Sequence, residues 1–221
     1  MPKMIRECID TWHLHMPDWE YCLWDENSFD SLPDGVENPL LHPFVQSAYK
    51  AKKYAFVADY VRFWALYNFG GIYLDTDMYV VRSLDCFLSN NFFAAWENSN
   101  QEFVSCGCIG MELGQSLGKS IILAYENRIY DETKLEEIIV PRIITPIINQ
   151  SQDDTIYPYD YFYPFSYEEK QLGKTDFLQS ITSNTYAIHL WNLSWQSNLQ
   201  KIVSIAVKRI KYKLGINKRL N

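Results

Sequence analysis

Asp75 and Asp77 stand one residue apart, just past the apolar run Ile72-Tyr73-Leu74, and a glycine pair, Gly70-Gly71, precedes that run. The run reads as a short buried strand and the glycines as the turn that starts it. Residues two apart on a strand share a side. If the strand frays past Leu74, both carboxylates can therefore face one point beyond its carboxyl end. Two acids that close repel each other unless a positive charge lies between them. The usual partner is a hard divalent cation, Mg²⁺ or Mn²⁺, bound by one or two carboxylates plus substrate phosphates. The spacing points to a metal–diphosphate site at a strand end. The simpler alternative is a surface turn with two solvated acids.

The segment before the glycines decides how these acids are positioned. Apolar residues at 57, 60, 61, 64 and 65 fit a helix packed on a sheet, with Gly70 as its stop. Asp59 and Arg62 are three apart and share one face of that helix. They are either a structural ion pair or part of the site. Tyr73 is either a half-buried sheet tyrosine or a ring that stacks near a base or sugar. Trp96-Glu97-Asn98 follows a second strand and is either a plain turn or a set of groups for sugar hydroxyls.

The ordered run Ala55-Phe56-Val57-Ala58-Asp59-Tyr60-Val61-Arg62, then Leu66-Tyr67-Asn68-Phe69-Gly70-Gly71-Ile72-Tyr73-Leu74-Asp75-Thr76-Asp77-Met78, resembles the signature of the DXD sugar-binding-region glycosyltransferases, family 32. That family includes capsular and surface-polysaccharide transferases and is related to the catalytic domain of the large clostridial glucosylating toxins. The likeness is dense over residues 43–85 and runs more thinly to about 195. It implies a GT-A-like α/β fold, a mixed sheet flanked by helices, with a nucleotide-sugar across the strand ends. It implies a metal-dependent hexosyltransferase. The donor is a nucleoside-diphosphate sugar, expected to be UDP-linked, and the acceptor a glycan or lipid-linked glycan in surface polysaccharide synthesis. Relatives retain anomeric configuration, and no nucleophile can be named here. A non-catalytic nucleotide-sugar or glycan-binding module derived from such an enzyme is the alternative.

By that resemblance Asp75 reaches ribose and metal, and Asp77 the metal and diphosphate. Arg62 places sugar or phosphate, Asp59 accepts from sugar hydroxyls, and Tyr73 lies beside the donor. The stretch His189-Leu190-Trp191-Asn192-Leu193-Ser194-Trp195 resembles the family's closing segment. It makes His189 a third metal ligand beside Asp75 and Asp77, and Ser194 and Trp195 donor contacts. From the residues alone, a lone histidine after an apolar strand is as readily a structural one. An imidazole ligand leans the metal toward Mn²⁺ rather than Mg²⁺. Two departures stand out. The family's usual first strand has no counterpart here, since Arg6 to Trp12 match the helix that follows it. Position 58 is Ala where relatives often have Ser.

The rest of the chain must supply the scaffold. Its 221 residues, 48% hydrophobic and 16% aromatic, suffice for one domain with a real core, and no Ser/Gly linker divides it. Helices are expected at 3–16, 43–51, 53–69, 116–129 and 133–149, the last bent or broken by Pro141 and Pro146. Strands are expected at 20–24, through 72–81, at 92–96, 103–110 and 185–190. Residues 155–165, rich in Tyr and Pro, are expected to wrap the surface. Five scattered cysteines suit reduced thiols in a cytosol, and Cys106-Gly107-Cys108 reads as two buried thiols.

No run approaches a membrane span, and the charged N-terminal turns do not read as a secretory signal. Net charge is −7, yet residues 201–221 carry +7 with no acid, leaving −14 on the remainder. The acidic body disfavours nucleic acid. The tail, a basic amphipathic helix within 197–221, is either an ordinary last helix or a dock for an anionic membrane surface. The expected location is cytoplasmic, peripheral on the inner face of the membrane.

Overall fold

The computed structural model describes residues 1–149 and 155–192. Six strands and seven α-helices lie among them. The helices are α1 (Lys3–His15), α2 (Pro43–Lys50), α3 (Tyr54–Phe69), α4 (Ser116–Ala124), α5 (Leu135–Ile138), α6 (Val140–Ile148) and α7 (Tyr167–Gln171). The strands are β1 (Gly71–Leu74), β2 (Met78–Val80), β3 (Phe92–Trp96), β4 (Val104–Met111), β5 (Thr155–Tyr157) and β6 (Ala187–His189). They form a four-stranded mixed sheet, β1-β4-β3-β5, and a two-stranded ribbon, β2-β6. β4 pairs antiparallel with both β1 and β3, and β5 runs parallel to β3. This mixed sheet flanked by helices is GT-A-like. On the outer side of β1 no strand pairs among the described residues.

The two-residue period of the strands divides the core. Phe92 and Ala94 face one side with Ile109 and Met111, against Phe44, Phe63 and Ile144 from α2, α3 and α6. Phe93, Ala95 and Cys108 face the other side, with Met78, Phe87, Phe162 and Tyr163. β1 obeys the same alternation: Tyr73 joins the first cluster, Ile72 and Leu74 the second. β4 is buried along its whole length, as a strand covered on both faces must be. Gly110 is there because a Cβ would sit 2.1 Å from the Phe93 ring.

α3 runs straight into β1. Its last amide cap, from Gly70 to the Leu66 carbonyl at 2.8 Å, closes the helix, and Gly70 takes φ 70°. A Cβ at Gly70 would stand 3.0 Å from the Leu113 amide nitrogen. The turn is therefore built for glycine in both conformation and space.

Several expectations need correction. Residues 20–24 form no strand, because no neighbouring strand offers them a ladder. Trp24 instead packs on Trp64 and Phe69, and the Tyr21 hydroxyl donates to the Trp12 and Met16 carbonyls. Residues 78–80 do not continue the main sheet but pair with β6. Residues 155–165 do not merely wrap the surface: β5 joins the sheet, and Phe162, Tyr163 and Phe165 are fully buried. The helix expected at 116–129 ends at Ala124, whose carbonyl accepts from the Arg128 side chain. The segment 133–149 does break as expected. Ile139 is extended at ψ 136°, and Pro141 falls in the first turn of α6, where its missing N–H costs nothing. The basic helix expected within 197–221 lies outside the described residues, as do Ser194 and Trp195.

Candidate metal and donor site

The end of β1 and the end of β6 meet. β6 lies against β2 with His189 opposite Met78, so the histidine arrives beside the turn that carries Asp75 and Asp77. His189 Nε2 is 3.1 Å from Asp77 Oδ1 and 3.9 Å from Asp75 Oδ2. One ligand atom from each of the three lies within 4.8 Å of the others. Two carboxylates and an imidazole around one point suit a divalent ion. Asp75, Asp77 and His189 would hold such an ion. When bound, it would supply positive charge to an anionic group beside it.

Each carboxylate has its own partner. Asp77, 7% exposed, accepts from His189 through Oδ1 and from the Asn192 amide through Oδ2 at 2.7 Å. Burial opposes its ionisation, yet the His189 contact and the Asn192 N–H hold it below the ordinary carboxylate value. Burial likewise opposes protonation of His189, but Asp77, then Asp75, lift it above the usual imidazole value. Asp75 accepts from the Tyr73 hydroxyl at 2.8 Å and faces the Arg62 guanidinium at 3.4 Å. Burial raises Tyr73 well above the ordinary phenol range, so it remains a donor.

Arg62 is 6% exposed, and its donors are spent inside the protein. Nη2 pairs with Asp59 Oδ1 at 2.7 Å, and Nη1 donates to the Cys106 carbonyl at 2.8 Å. The guanidinium also lies 4.5 Å from the Tyr73 ring centroid, a cation–π contact. Burial pushes Asp59 up to about 7; the Arg62 charge opposes this and Asp75 adds to it. Arg62, Asp59 and Tyr73 thus form a bracket behind Asp75. The helical spacing of Asp59 and Arg62 showed the pair, but only the fold shows that it supports Asp75.

The turn after β6 is unusual. Trp191 takes φ 52°, a left-handed conformation rare for a bulky side chain. The Leu190 amide, next along from β6, donates to the Asp77 carbonyl at 3.0 Å, and after the bend the Asn192 amide donates to the Asp77 carboxylate. The Trp191 indole donates to the Phe165 carbonyl at 2.7 Å and packs 4.2 Å, centroid to centroid, from the His189 ring. His189 Nδ1 is buried with no hydrogen-bond partner among the described residues. Ring packing from Trp191 and Tyr163 accordingly orients the imidazole.

Of the residues expected at the site, Asp75, Asp77, His189, Arg62, Asp59 and Tyr73 come together; Ser194 and Trp195 lie outside the described residues. Glu97 and Trp96 stand at the β3 end, where the Glu97 amide donates to the Phe103 carbonyl. Sequence reasoning missed Tyr163, whose hydroxyl accepts from the Cys108 amide at 3.0 Å, and the Asn192 amide. No sequence signal marks Tyr163. It also missed the backbone of 106–107, although a glycine inside a buried strand signals a bulge or close approach.

Two outcomes follow from this geometry. Arg62→Ala leaves Asp59 and Asp75 without their cation, which typically costs about 3–5 kcal/mol for a buried network. Chemical denaturation should show a loss of that order; a variant as stable as wild type would mean the bracket carries no weight. The second concerns pH. His189 has a folded value raised above 6.5, so its contribution is complete below pH 6.5 and fades as pH rises through the folded value. Asp77 has a folded value below 3.8, so its contribution is complete above pH 3.8 and fades as pH falls through the folded value. The metal-free protein should gain most from this pair between pH 3.8 and 6.5. His189→Gln should flatten the alkaline side of a stability–pH curve, and an unchanged slope would break the assignment.

Comparison with known proteins agrees with this geometry. Residues 2–94 match the family model described as a glycosyltransferase sugar-binding region containing a DXD motif. Inositol phosphoceramide mannosyltransferase 3 of Schizosaccharomyces pombe (strain 972 / ATCC 24843) is 37% identical over 92 residues. That stretch is 41% of this chain and 22% of the relative's length. No solved structure matches the chain. Residues 2–94, which include Asp75-Thr76-Asp77, are therefore similar to a DXD glycosyltransferase sugar-binding region.

Proposed function

We propose that the protein is a metal-dependent glycosyltransferase that moves a hexose from a nucleoside-diphosphate sugar, UDP-linked, to a glycan or lipid-linked glycan. The observation that carries this reading is the convergence of Asp75, Asp77 and His189 at the carboxyl end of β1. Two carboxylates and one imidazole, one ligand atom each, leave half the positions of an octahedral ion to water and phosphate oxygen. Such a site favours a metal that arrives with a diphosphate. The relative's name joins mannosyl transfer to inositol phosphoceramide, which favours a hexosyl group and a lipid-bearing acceptor. Transfer with retained configuration and a role in surface polysaccharide synthesis complete the reading.

In this scheme the protein's own groups bind and orient. Tyr73 and Arg62 fix Asp75, while His189 and the Asn192 amide fix Asp77. Carboxylates fixed in this way would hold a cation against a leaving diphosphate without reorganising during reaction. The seven basic residues of 201–221 would hold the protein on the anionic inner face of a membrane, beside a lipid-linked acceptor.

A panel of UDP- and GDP-sugars assayed for Mn²⁺-dependent hydrolysis and transfer tests the reading. At least one donor should turn over, and Asp77→Asn should abolish it. Calorimetry should show UDP strengthening Mn²⁺ binding; equal Mn²⁺ affinity with and without UDP would argue against a shared metal–diphosphate site.

The membrane role has its own test. Lys208, Arg209, Lys211 and Lys213 each changed to Glu should release the protein from anionic liposomes while soluble-donor hydrolysis persists. Continued sedimentation of that variant with the vesicles would remove the membrane role alone.

A further inference from the structure

Cys106-Gly107-Cys108 sits in the middle of β4, and the thiols are not what matters there. Cys106 and Cys108 are buried, and burial pushes the Cys106 thiol up to about 12 and raises Cys108 well above the ordinary thiol value. These are inert groups. The backbone of the same residues is in use at every position. The Cys106 carbonyl accepts from Arg62 Nη1 at 2.8 Å. The Gly107 carbonyl accepts from the Asp75 amide at 2.7 Å. The Cys108 amide donates to the Tyr163 hydroxyl at 3.0 Å.

The register explains how one strand serves three partners. On its β1 side β4 pairs regularly from Met111 to Cys108. On its β3 side Phe93 lies opposite Gly110, yet Ala95 lies opposite Ser105, so residues 106–109 are accommodated across a single residue of β3. This irregularity is a bulge, a device that re-aims backbone groups beside active sites.

Gly107 lies at its centre. A Cβ there would stand 3.0 Å from Asp75 Oδ2, 3.4 Å from Met78 Sδ and 3.5 Å from the Tyr163 hydroxyl. Asp75 Oδ2 is the oxygen that faces His189. A side chain at 107 would press on that oxygen, which would have to give by a few tenths of an ångström.

We propose that the 106–108 bulge is the positioning element of the metal site. Its carbonyls hold Arg62 and the Asp75 backbone, and the missing side chain of Gly107 lets Asp75 Oδ2 turn toward His189. Gly107 and Tyr163 are positioning residues; they act through Asp75. This inference rests on the metal–diphosphate reading given above.

Mn²⁺ binding in the presence of UDP, followed by electron paramagnetic resonance, tests it without depending on turnover. Gly107→Ala should fold, as shown by circular dichroism, and bind Mn²⁺–UDP roughly 10–100-fold more weakly, the range seen when groups behind metal ligands are changed. Tyr163→Phe keeps the ring and deletes the hydroxyl that anchors the bulge; it should lose on the order of tenfold. Ile109→Val, a buried change on the same strand, should bind as wild type does.

A folded Gly107→Ala protein with wild-type Mn²⁺–UDP affinity overturns the proposal. Should Gly107→Ala not fold, the other two decide: Tyr163→Phe weaker than Ile109→Val supports the bulge, and equal affinities overturn it. Wild-type protein that binds no Mn²⁺ with UDP present would instead remove the metal reading itself.

Discussion

Two carboxylates one residue apart must be kept apart in charge as well as in space. Their repulsion is the constraint around which this structure is arranged, and each acid is given its own cation from a different part of the chain. Asp75 receives Arg62 from α3, supported by the Tyr73 hydroxyl. Asp77 receives His189 from β6, supported by the Asn192 amide. Neither cation is free to move. Arg62 is fixed by Asp59 and the Cys106 carbonyl, and His189 by the rings of Trp191 and Tyr163. Groups held this way keep their polar partners in a partly dry site, where an unpaired charge would be costly.

The sheet makes that arrangement rigid. α3 feeds β1 through Gly70, so the residue that carries Arg62 and the residue that carries Asp75 are tied by one covalent turn. β4, covered on both faces, runs beside β1 and presents backbone to both. Sites carried on helices and strands hold geometry better than sites carried on loops. Here the loop elements are the 75–77 turn between β1 and β2 and the turn at Trp191. That turn is fixed by the indole donor to Phe165 and by two amides that return to Asp77.

Much of this was legible in the residues. The helix before Gly70, the short strand after it and the acid pair follow from periodicity and glycine placement. The Asp59–Arg62 pair follows from helical spacing. The meeting of His189 with Asp77 was expected from the family resemblance and not from the residues alone, because a residue 112 positions away is brought in by strand pairing. Tyr163 was unreadable for the same reason: a tyrosine in a Tyr/Pro-rich segment looks like surface, and only packing shows it fully buried. The segment 20–24 failed in the opposite way. Its composition favours a strand, but strand propensity describes fit to a neighbour and means little without one.

The distance in sequence between Asp77 and His189 has a consequence for how the protein is made. β2 and the acid turn leave the ribosome long before β6, and they cannot hold the geometry of the site until β6 docks on β2. Contacts of such long range close late and slowly, because the loop between them must first be ordered. A nascent chain therefore carries Asp77 without its histidine until residue 189 has been added. An ion bound only by the closed site would favour the completed fold through mass action. Metal supply would then act on the yield of folded protein as well as on its chemistry.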